Sequence, residues 1–427
     1  MVAGLGTVLD RLQGWFGKGY LLAGFMPVLS AGVLMLLFAA ALFPEVLYAG
    51  WRIHELSVTD QVLVGLLVAM SVALVGLFYW GLSPWMLRFL QGQGNPFAPL
   101  LRRGQERECR ALDQAIQSLD LEELSYAKNI EAWRQRLRAA RLAGNQLAAG
   151  PADAPDKVAV LQARYDRLAR LASANQSVAV DDLGALIEDV RQLLEVTPVR
   201  TLTDLAHLHR RLVEELIPAA RAQVERRRGQ LWADRRLRFP GDAGRVQPTR
   251  LGNVAAVLRE DAWARYGIDL EVFWPHLQKV SRADPALHAL LDATKLNLDV
   301  AVSLVFTFSL LSAGAFALAF AGGAHWLLGT AVVAGCGLVA VAFYRVSVET
   351  YHAYASLLRA VTDLYRLDLL KVLHVELPRD TDAERALWGQ LVQAALYQQG
   401  QRLELVYPAE RPAPAVAPPG PGVPGHE

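Results

Sequence analysis

The chain has 427 residues, 53% of them hydrophobic, and its mean hydropathy of +0.21 is high for a soluble protein. The formal net charge of +1 excludes polyanion binding driven by bulk charge. The two cysteines exclude a disulfide framework and any CxxC metal or redox site.

The chain begins with a predicted amphipathic N-terminal helix over residues 1–19, where apolar residues recur at helical spacing between charges. Uncharged apolar stretches follow at 20–43 and 61–81, and each is about the length of one membrane crossing. A cleaved signal peptide is the alternative for the first stretch, but its apolar run exceeds the roughly 7–15 residues of a signal-peptide core. We therefore predict a first transmembrane hairpin over residues 20–83.

Helical periodicity continues through the polar middle of the chain, and alternating strand patterns are nearly absent. Breakers at Gly150-Pro151 and Thr197-Pro198 separate the predicted helices. We expect a cytoplasmic helical bundle or coiled-coil domain over 95–240, inserted between spans two and three. Its helices are predicted at 100–149, 156–174, 181–194 and 203–228.

A local run of arginines lies near the end of this middle domain. Such a run suits contact with anionic lipid headgroups, and a solvated helix face is the alternative. Nucleic acid is not favoured as a partner, because no aromatic ladder or recognisable nucleic-acid motif accompanies the run. The candidate lipid-surface residues are Arg226, Arg227, Arg228, Arg235 and Arg236.

The stretch 241–297 is unusually dense in arginine, acidic and aromatic side chains. This density predicts either an interaction surface or a tightly hydrogen-bonded junction. We expect it to form a juxtamembrane collar that joins the middle domain to the membrane. The candidate interaction residues are Arg250, Asn253, Asp261, Arg265, Tyr266, Asp269 and Trp274.

The second predicted transmembrane hairpin covers 298–344, because no Asp, Glu, Lys or Arg occurs between Asp299 and Arg345. Its spans are predicted at 301–321 and 326–344, and the absence of ionisable residues inside the spans argues against an ion-coupled transporter. Small residues spaced by four, together with hydroxyls on span three, suit packing within one subunit, packing between subunits, or a pore built by several copies. The pore or packing candidates are Ser303, Thr307, Ser312, Ala313, Ala317, Ala331 and Gly335.

The last part of the chain is predicted as cytoplasmic helices over 345–407 and a disordered Pro-rich tail over 408–427. Span four is expected to continue beyond the membrane as one long helix, because nothing breaks it before Pro378. The sequence from Thr381 to Glu384 is a capping box, which predicts the start of a final helix.

Arginine-rich segments flank the predicted spans, and cytoplasmic flanks carry the excess of arginine and lysine in membrane proteins. All of these segments fall on the cytoplasmic side if both termini and the middle domain are cytoplasmic. The loop between spans one and two, by contrast, holds Arg52 against Glu45, Glu55 and Asp60. Arginine also outnumbers lysine, and alanine and glycine are abundant, which is typical of GC-rich bacterial genomes. We therefore expect a multi-pass protein of the bacterial inner membrane.

The predicted fold class is all-α, with four transmembrane helices in two hairpins and a large inserted helical domain. There is no Walker loop, GxGxxG, HExxH or GxSxG motif, so we predict no cofactor, no metal and no enzymatic activity. The leading hypothesis is a homo-oligomer whose cytoplasmic domain binds a protein partner or senses a signal and relays it to the membrane bundle. The alternatives are a gated pore or membrane-disrupting effector in a bacterial stress or antiviral response, and a cryptic membrane-bound enzyme using Arg250, Asp261, Arg265 and Asp269.

Overall fold

The computed structural model describes residues 19–42, 57–146, 153–174, 176, 178–197, 203–322 and 326–397. These residues contain no β-strand, and the predicted all-α class is confirmed for them. The predicted tail at 408–427 and the predicted N-terminal helix, apart from Gly19, lie outside the described residues.

The helices of the described residues are numbered here in chain order. They are α1 Met26–Leu42, α2 Val58–Gly81, α3 Ser83–Leu90, α4 Ala98–Gly144, α5 Ala154–Ser173, α6 Val180–Val196, α7 Thr203–Arg211, α8 Ile217–Arg238, α9 Arg250–Tyr266, α10 Leu270–Ser281, α11 Pro285–Gly322, α12 Trp326–Val372 and α13 Thr381–Tyr397. A π-helical turn, Leu21–Phe25, precedes α1, and a second, Leu212–Leu216, joins α7 to α8.

The chain divides into two compact units. Unit 1 contains the described residues up to Arg102 and those from Pro240 onward, and unit 2 contains those from Arg103 to Phe239. Unit 1 therefore holds the apolar helices and the stretch predicted as a collar. The predicted domain at 95–240 is close to unit 2 in extent, and its cytoplasmic location remains a prediction.

Four helical segments of unit 1 are long and apolar enough to cross a membrane. They are Leu21–Ala40, Val58–Gly81, Pro285–Phe320 and Gly329–Val372. Helix α2 exposes the largest share of its apolar residues, because only 11% of its apolar window is buried inside the protein. A helix that is hydrophobic on all sides and exposes those sides belongs in a non-aqueous surrounding. The coarse prediction of four membrane-competent helices is thus confirmed.

The apolar helices approach one another at small residues and are joined by hydroxyl groups. A Cβ atom added at Gly24 would lie 2.6 Å from the Gly76 carbonyl oxygen, so glycine permits the close crossing of the first two apolar helices. The Tyr20 hydroxyl donates to the Ala73 carbonyl of α2 at 2.7 Å. The Ser312 hydroxyl donates to the Val333 carbonyl at 3.1 Å and so joins α11 to α12.

Unit 2 is a helical bundle with its own hydrophobic core. Tyr126 and Leu137 of α4, Leu186 of α6 and Leu208 of α7 are almost fully buried in this core. The Tyr126 hydroxyl donates to the Val178 carbonyl at 2.8 Å, so this buried hydroxyl is satisfied. Each of the four helices that the 3.6-residue periodicity predicted in the middle domain overlaps a helix of the structure.

One helix of unit 2 is longer than predicted. The sequence predicted its end near residue 228, whereas α7, the π turn and α8 continue to Arg238. Pro218 has no N–H and cannot form the α-helical bond to residue 214, and the π turn lies immediately before it. The polar Arg-rich stretch beyond 228 carries no apolar periodicity, which is why the pattern did not extend that far.

His209 is a buried histidine whose two ring nitrogens have no hydrogen-bond partner. Burial, and then the charge of Arg141, lower the pKa of His209 below its ordinary value of about 6.5. The folded protein therefore holds a neutral imidazole where the unfolded chain would bind a proton. Stability from this group is present above the unfolded-state pKa of about 6.5, and it is lost progressively as the pH falls from there through the lowered pKa of the folded protein.

We predict that acidification from pH 7.5 to pH 5.5 lowers the protection of the amides in α7 and the π turn of the full-length protein, where protection is exchange relative to the intrinsic rate at each pH. The variant His209→Leu removes the titrating group and should abolish most of this acid sensitivity. The matched control is His207→Leu, because His207 lies two residues away and is exposed. Equal acid sensitivity in both variants and the wild type, measured by hydrogen–deuterium exchange, would contradict the assignment.

Candidate functional site

The N-terminus of α9 is tied to the end of α3 by a capping threonine. Thr249 Oγ1 accepts a hydrogen bond from Gly252 N at 3.0 Å and donates to the Leu90 carbonyl at 2.7 Å. A Cβ atom at Gly252 would lie 2.2 Å from the Gln91 carbonyl oxygen, so only glycine allows this approach. One residue thus caps α9 and holds it against the segment that follows the second apolar helix.

The four residues proposed for a cryptic enzyme do not form one cluster, although two of them, Asp261 and Arg265, are paired. Arg250 starts α9 and Asp261 lies eleven residues later on the same helix, which separates their backbones by about 16 Å. Asp269 caps α10 by accepting a backbone hydrogen bond at 2.8 Å. Asn253 is fully buried, and its Oδ1 accepts from Gln247 N at 2.6 Å. These contacts are structural ones.

Asp261 and Arg265 instead belong to an ion-pair network between α9 and α12. Asp261 lies 3.1 Å from Arg265 Nε on its own helix and 3.1 Å from Arg359 Nε on α12. Arg265 Nη1 also lies 3.7 Å from Asp363 Oδ2. Because each charge has a partner on the facing helix, the network fixes α9 against the polar half of α12.

Tyr266 extends the network toward α13. Its hydroxyl donates to Asp363 at 2.8 Å, and the Arg366 guanidinium lies 4.2 Å from the centre of its ring. Arg366 Nε in turn donates to Glu384 of α13 at 2.8 Å. Burial and the neighbouring Asp363 raise the pKa of Tyr266, so its hydroxyl remains a proton donor.

The predicted capping box at the start of α13 is wrong. The cap is Asp380, whose Oδ1 accepts from the backbone N of Asp382 and of Ala383. Glu384, which the box would have used to reach back to the cap, is nearly fully buried and paired with Arg366. An ion pair across helices therefore replaced the local capping interaction.

The junction is closed by a glycine at the end of α9. Gly267 has φ +76°, and a Cβ atom there would lie 2.8 Å from the Arg385 carbonyl of α13. Arg385 Nη2 donates to the Ala264 carbonyl at 2.9 Å. We call the network that joins these three helices the polar junction. Its side chains are Asp261, Arg265, Tyr266, Arg359, Asp363, Arg366 and Glu384.

The polar junction encloses no substrate-sized space. The cavity beside it, lined by Asp261, Arg265 and Asp363, has a volume of about 10 Å³. That is barely one water molecule. A separate open cleft of about 350 Å³ lies nearer α10 and is lined in part by Arg259, Trp263 and Asp269. Of the two readings that the sequence left open for this stretch, the geometry favours a hydrogen-bonded junction.

Trp274 lies on α10, half-buried, and packs against the hydrophobic core of unit 1. The same core includes Phe273 and Trp388, whose rings meet edge to face at 5.2 Å. Pro275 lies inside α10 and does not end it. Trp274 therefore supports α10 from its apolar side.

The predicted hydroxyl residues Ser303 and Thr307 pack inside the chain, and the buried Ser303 hydroxyl itself has no hydrogen-bond partner among the described residues. Tyr79 of α2 donates to the Ser303 carbonyl at 2.8 Å and lies 2.9 Å from Thr307 Oγ1. Both Ser303 and Thr307 are buried. The predicted small-residue positions, by contrast, are exposed along the apolar helices: Ala313, Ala317, Ala331 and Gly335.

The five predicted lipid-surface arginines divide into two groups. Arg235 is buried and paired with Asp113 at 2.8 Å, and Arg228 is paired with Asp120 and Glu123. These two arginines hold α8 to α4 within unit 2. The exposed positions are Arg226, Arg227 and Arg236.

Sequence reasoning did not single out the α12 and α13 members of the polar junction. The prediction for α12 rested on its apolar stripe, and the charged residues between the apolar positions were not used. The spacing of Arg359, Asp363 and Arg366, at steps of four and three, places them on one side of that helix and was the available signal. Within the described ranges, no group of three or more His, Cys, Asp or Glu side chains is arranged to hold a metal ion.

Comparisons with models of known protein families, with curated proteins and with solved structures found no match to this chain.

We predict that Asp261→Asn destabilises the protein by about 1–3 kcal/mol, because a neutral amide cannot balance both Arg265 and Arg359. The matched control is Asp368→Asn on α12, since Asp368 forms an exposed pair with Lys371 at 2.8 Å. An exposed pair of this kind contributes about 0–1 kcal/mol. Thermal unfolding of the full-length proteins in nanodiscs measures the difference. Equal midpoints for the two variants would show that the junction carries no special stability.

Proposed function

We propose that this chain is a non-enzymatic, homo-oligomeric protein of a bacterial inner membrane that relays a signal from a cytoplasmic helical bundle to its membrane helices. Unit 2 is the part that binds a protein partner or senses the signal. The observation that carries the proposal is the continuity of α12. This helix runs for 47 residues from its apolar beginning into the polar junction.

The length and rigidity of α12 suit it to transmit a displacement. At 1.5 Å per residue, the helix is about 70 Å long. Arg359 and Asp363 lie on its polar half, and its apolar half packs against α11 through Ser312 and Val333. Because an unbroken helix moves largely as one body, a shift imposed at the polar junction also moves the apolar half.

The connections to unit 2 lead to the same part of unit 1. Arg102, just before unit 2, donates to the carbonyl of Gly244, just after it, at 2.7 Å. Gly241 N donates to Glu260 of α9 at 2.8 Å, one residue before Asp261. A pull on the chain where it leaves unit 2 would therefore act on α9, and through Asp261 on α12.

The proposed location rests on apolar helices and loop charge. Four segments suit a membrane crossing. The arginine-rich flanks favour both termini and the middle domain on the cytoplasmic side. The proposed homo-oligomer is supported by the exposed small residues of α11 and α12, which permit close approach of another helix.

We predict that the nanodisc-reconstituted protein has a native mass of at least two subunits. A single subunit at every protein concentration tested would contradict the homo-oligomeric part of the proposal. A ring of four or more subunits would instead renew the pore hypothesis, and ion flux from loaded vesicles would then decide it.

The relay itself is tested by a distance measurement in the membrane. Spin labels at Leu67 on α2 and Leu338 on α12 report the apolar halves, since both side chains are exposed. Native cysteines are replaced, and labelled protein is diluted with unlabelled protein to isolate intrachain distances. Arg265→Gln, which weakens the polar junction, is expected to shift or broaden the distribution.

The matched control for this experiment is Lys371→Gln, which removes an exposed ion pair from the same helix without touching α9. Hydrogen exchange in α9 confirms that Arg265→Gln has loosened the junction. An unchanged distance distribution in a variant with a loosened junction would exclude the relay.

A further inference from the structure

An exposed aromatic surface follows the second apolar helix directly. Helix α3 begins at Ser83, two residues after α2 ends at Gly81. Trp85 is half exposed, stacks on Phe89 at 5.4 Å and lies 6.2 Å from Phe306 of the apolar helix α11. Since Phe306 lies in a membrane-competent segment, Trp85 is at the level where that segment reaches the polar part of unit 1.

A second apolar group lies at the start of α4. Phe97, Leu100 and Leu101 are exposed to 67%, 68% and 41%. Asn95 Oδ1 accepts from Phe97 N at 2.9 Å, and the Phe97 carbonyl accepts from Leu101 N at 3.0 Å. Positions three and four residues apart share one side of a helical turn, so the three side chains form a single ridge.

The ridge is held in place by its neighbours along the chain. Leu90 is bound through its carbonyl to Thr249 at 2.7 Å. Gly92 has φ +95°, and a Cβ atom there would lie 2.9 Å from Pro248. Arg102, at the far end, is bound to Gly244. The ridge is therefore anchored on both sides and presented outward.

The charge of this segment is of one sign. No Asp or Glu occurs between Asp60 and Glu106, whereas Arg88 is exposed in the last turn of α3. Aromatic and leucine side chains in a stretch that contains arginines and no acidic residues are the composition of surfaces that lie at the lipid headgroup boundary. The direct connection to α2 supplies the second argument, because a membrane crossing by α2 brings this segment to that boundary.

We propose that α3 and the first turn of α4 form a lipid-interface surface, which inserts Phe97, Leu100 and Leu101 at the headgroup–acyl boundary while Arg88 binds anionic headgroup phosphates. This inference rests on the proposed membrane location of the chain and adds a specific lipid contact to it. This lipid-interface surface is distinct from the lipid-surface arginines predicted on α8, which lie in unit 2.

The insertion is tested by spin-label accessibility in full-length protein reconstituted in nanodiscs containing phosphatidylglycerol. Labels are placed one at a time at Leu100, at Leu67 within α2, and at the exposed Ser118 of unit 2, after replacement of the native cysteines. The label at Leu100 should favour collision with oxygen over a water-soluble nickel chelate, as the Leu67 label does. The Ser118 label should show the opposite preference.

The labels separate failure of this inference from failure of the proposed location. A water-accessible label at Leu100 beside a lipid-accessible label at Leu67 would overturn the interface surface alone. A label at Leu100 shielded from both reagents would overturn it as well, since that result means a protein contact. A water-accessible label at Leu67 would overturn the membrane location and this inference together.

The headgroup contact is tested by cross-linking with a photoactivatable phosphatidylglycerol. Arg88→Gln should lower the yield on the peptide covering 82–101 by about five-fold, since one arginine near an anionic surface contributes about that factor. Arg110→Gln, which changes an exposed arginine in unit 2, should leave it unchanged. An unchanged yield in Arg88→Gln would overturn the role of Arg88. Loss of the wild-type yield in excess inorganic phosphate, but not in sodium chloride of the same ionic strength, would overturn the lipid as the ligand.

Discussion

The pairing of Asp261 with two arginines is the interaction on which the polar half of unit 1 depends. Arg265 comes from the same helix and Arg359 from α12, so the carboxylate holds α9 and α12 together while balancing both charges. Removing it leaves two guanidinium groups near each other in a partly buried place, without the carboxylate that balances them. The network continues through Arg366 of α12, which stacks on Tyr266 of α9 and pairs with Glu384 of α13. Helix α13 therefore belongs to the same network.

The apolar half of unit 1 obeys a different constraint. Its helices expose hydrophobic side chains on their outward faces, which suit a membrane surrounding. Specific side-chain contacts within the chain occur only where these helices meet one another. Tyr79 meets Ser303 and Thr307 at one such contact, and Gly24 meets Gly76 at another. Helix α12 belongs to both halves, because it enters the polar junction without a break.

The sequence predicted what depends on local pattern. Hydropathy identified the four apolar helices, and the 3.6-residue period identified the helices of unit 2. Local sequence patterns could not predict which residues pair across long distances in the chain. Tyr79 and Thr307 are 228 residues apart, and nothing in the period of either helix indicates that their hydroxyls meet. Ser303 and Thr307 were therefore proposed for a pore or for packing with no means of choosing between them.

Two predictions based on charged residues were wrong, because the ion-pair partner lies on another helix. Arg235 was grouped with four neighbouring arginines as a lipid contact, yet Asp113 pairs with it and buries it. Glu384 was assigned to a capping box, yet Arg366 binds it and Asp380 caps the helix instead. In both cases a local motif competed with an ion pair between helices, and the ion pair decided the geometry.

The most direct test of this account is the amide exchange of α12 in the full-length protein in nanodiscs. The relay requires a helix without a hinge where α12 passes from its apolar to its polar half, around residues 344–351. The account predicts slow exchange through this segment, as slow as in the flanking turns. Fast exchange confined to it would reveal a hinge, and would contradict the transmission of any movement from the polar junction to the membrane helices.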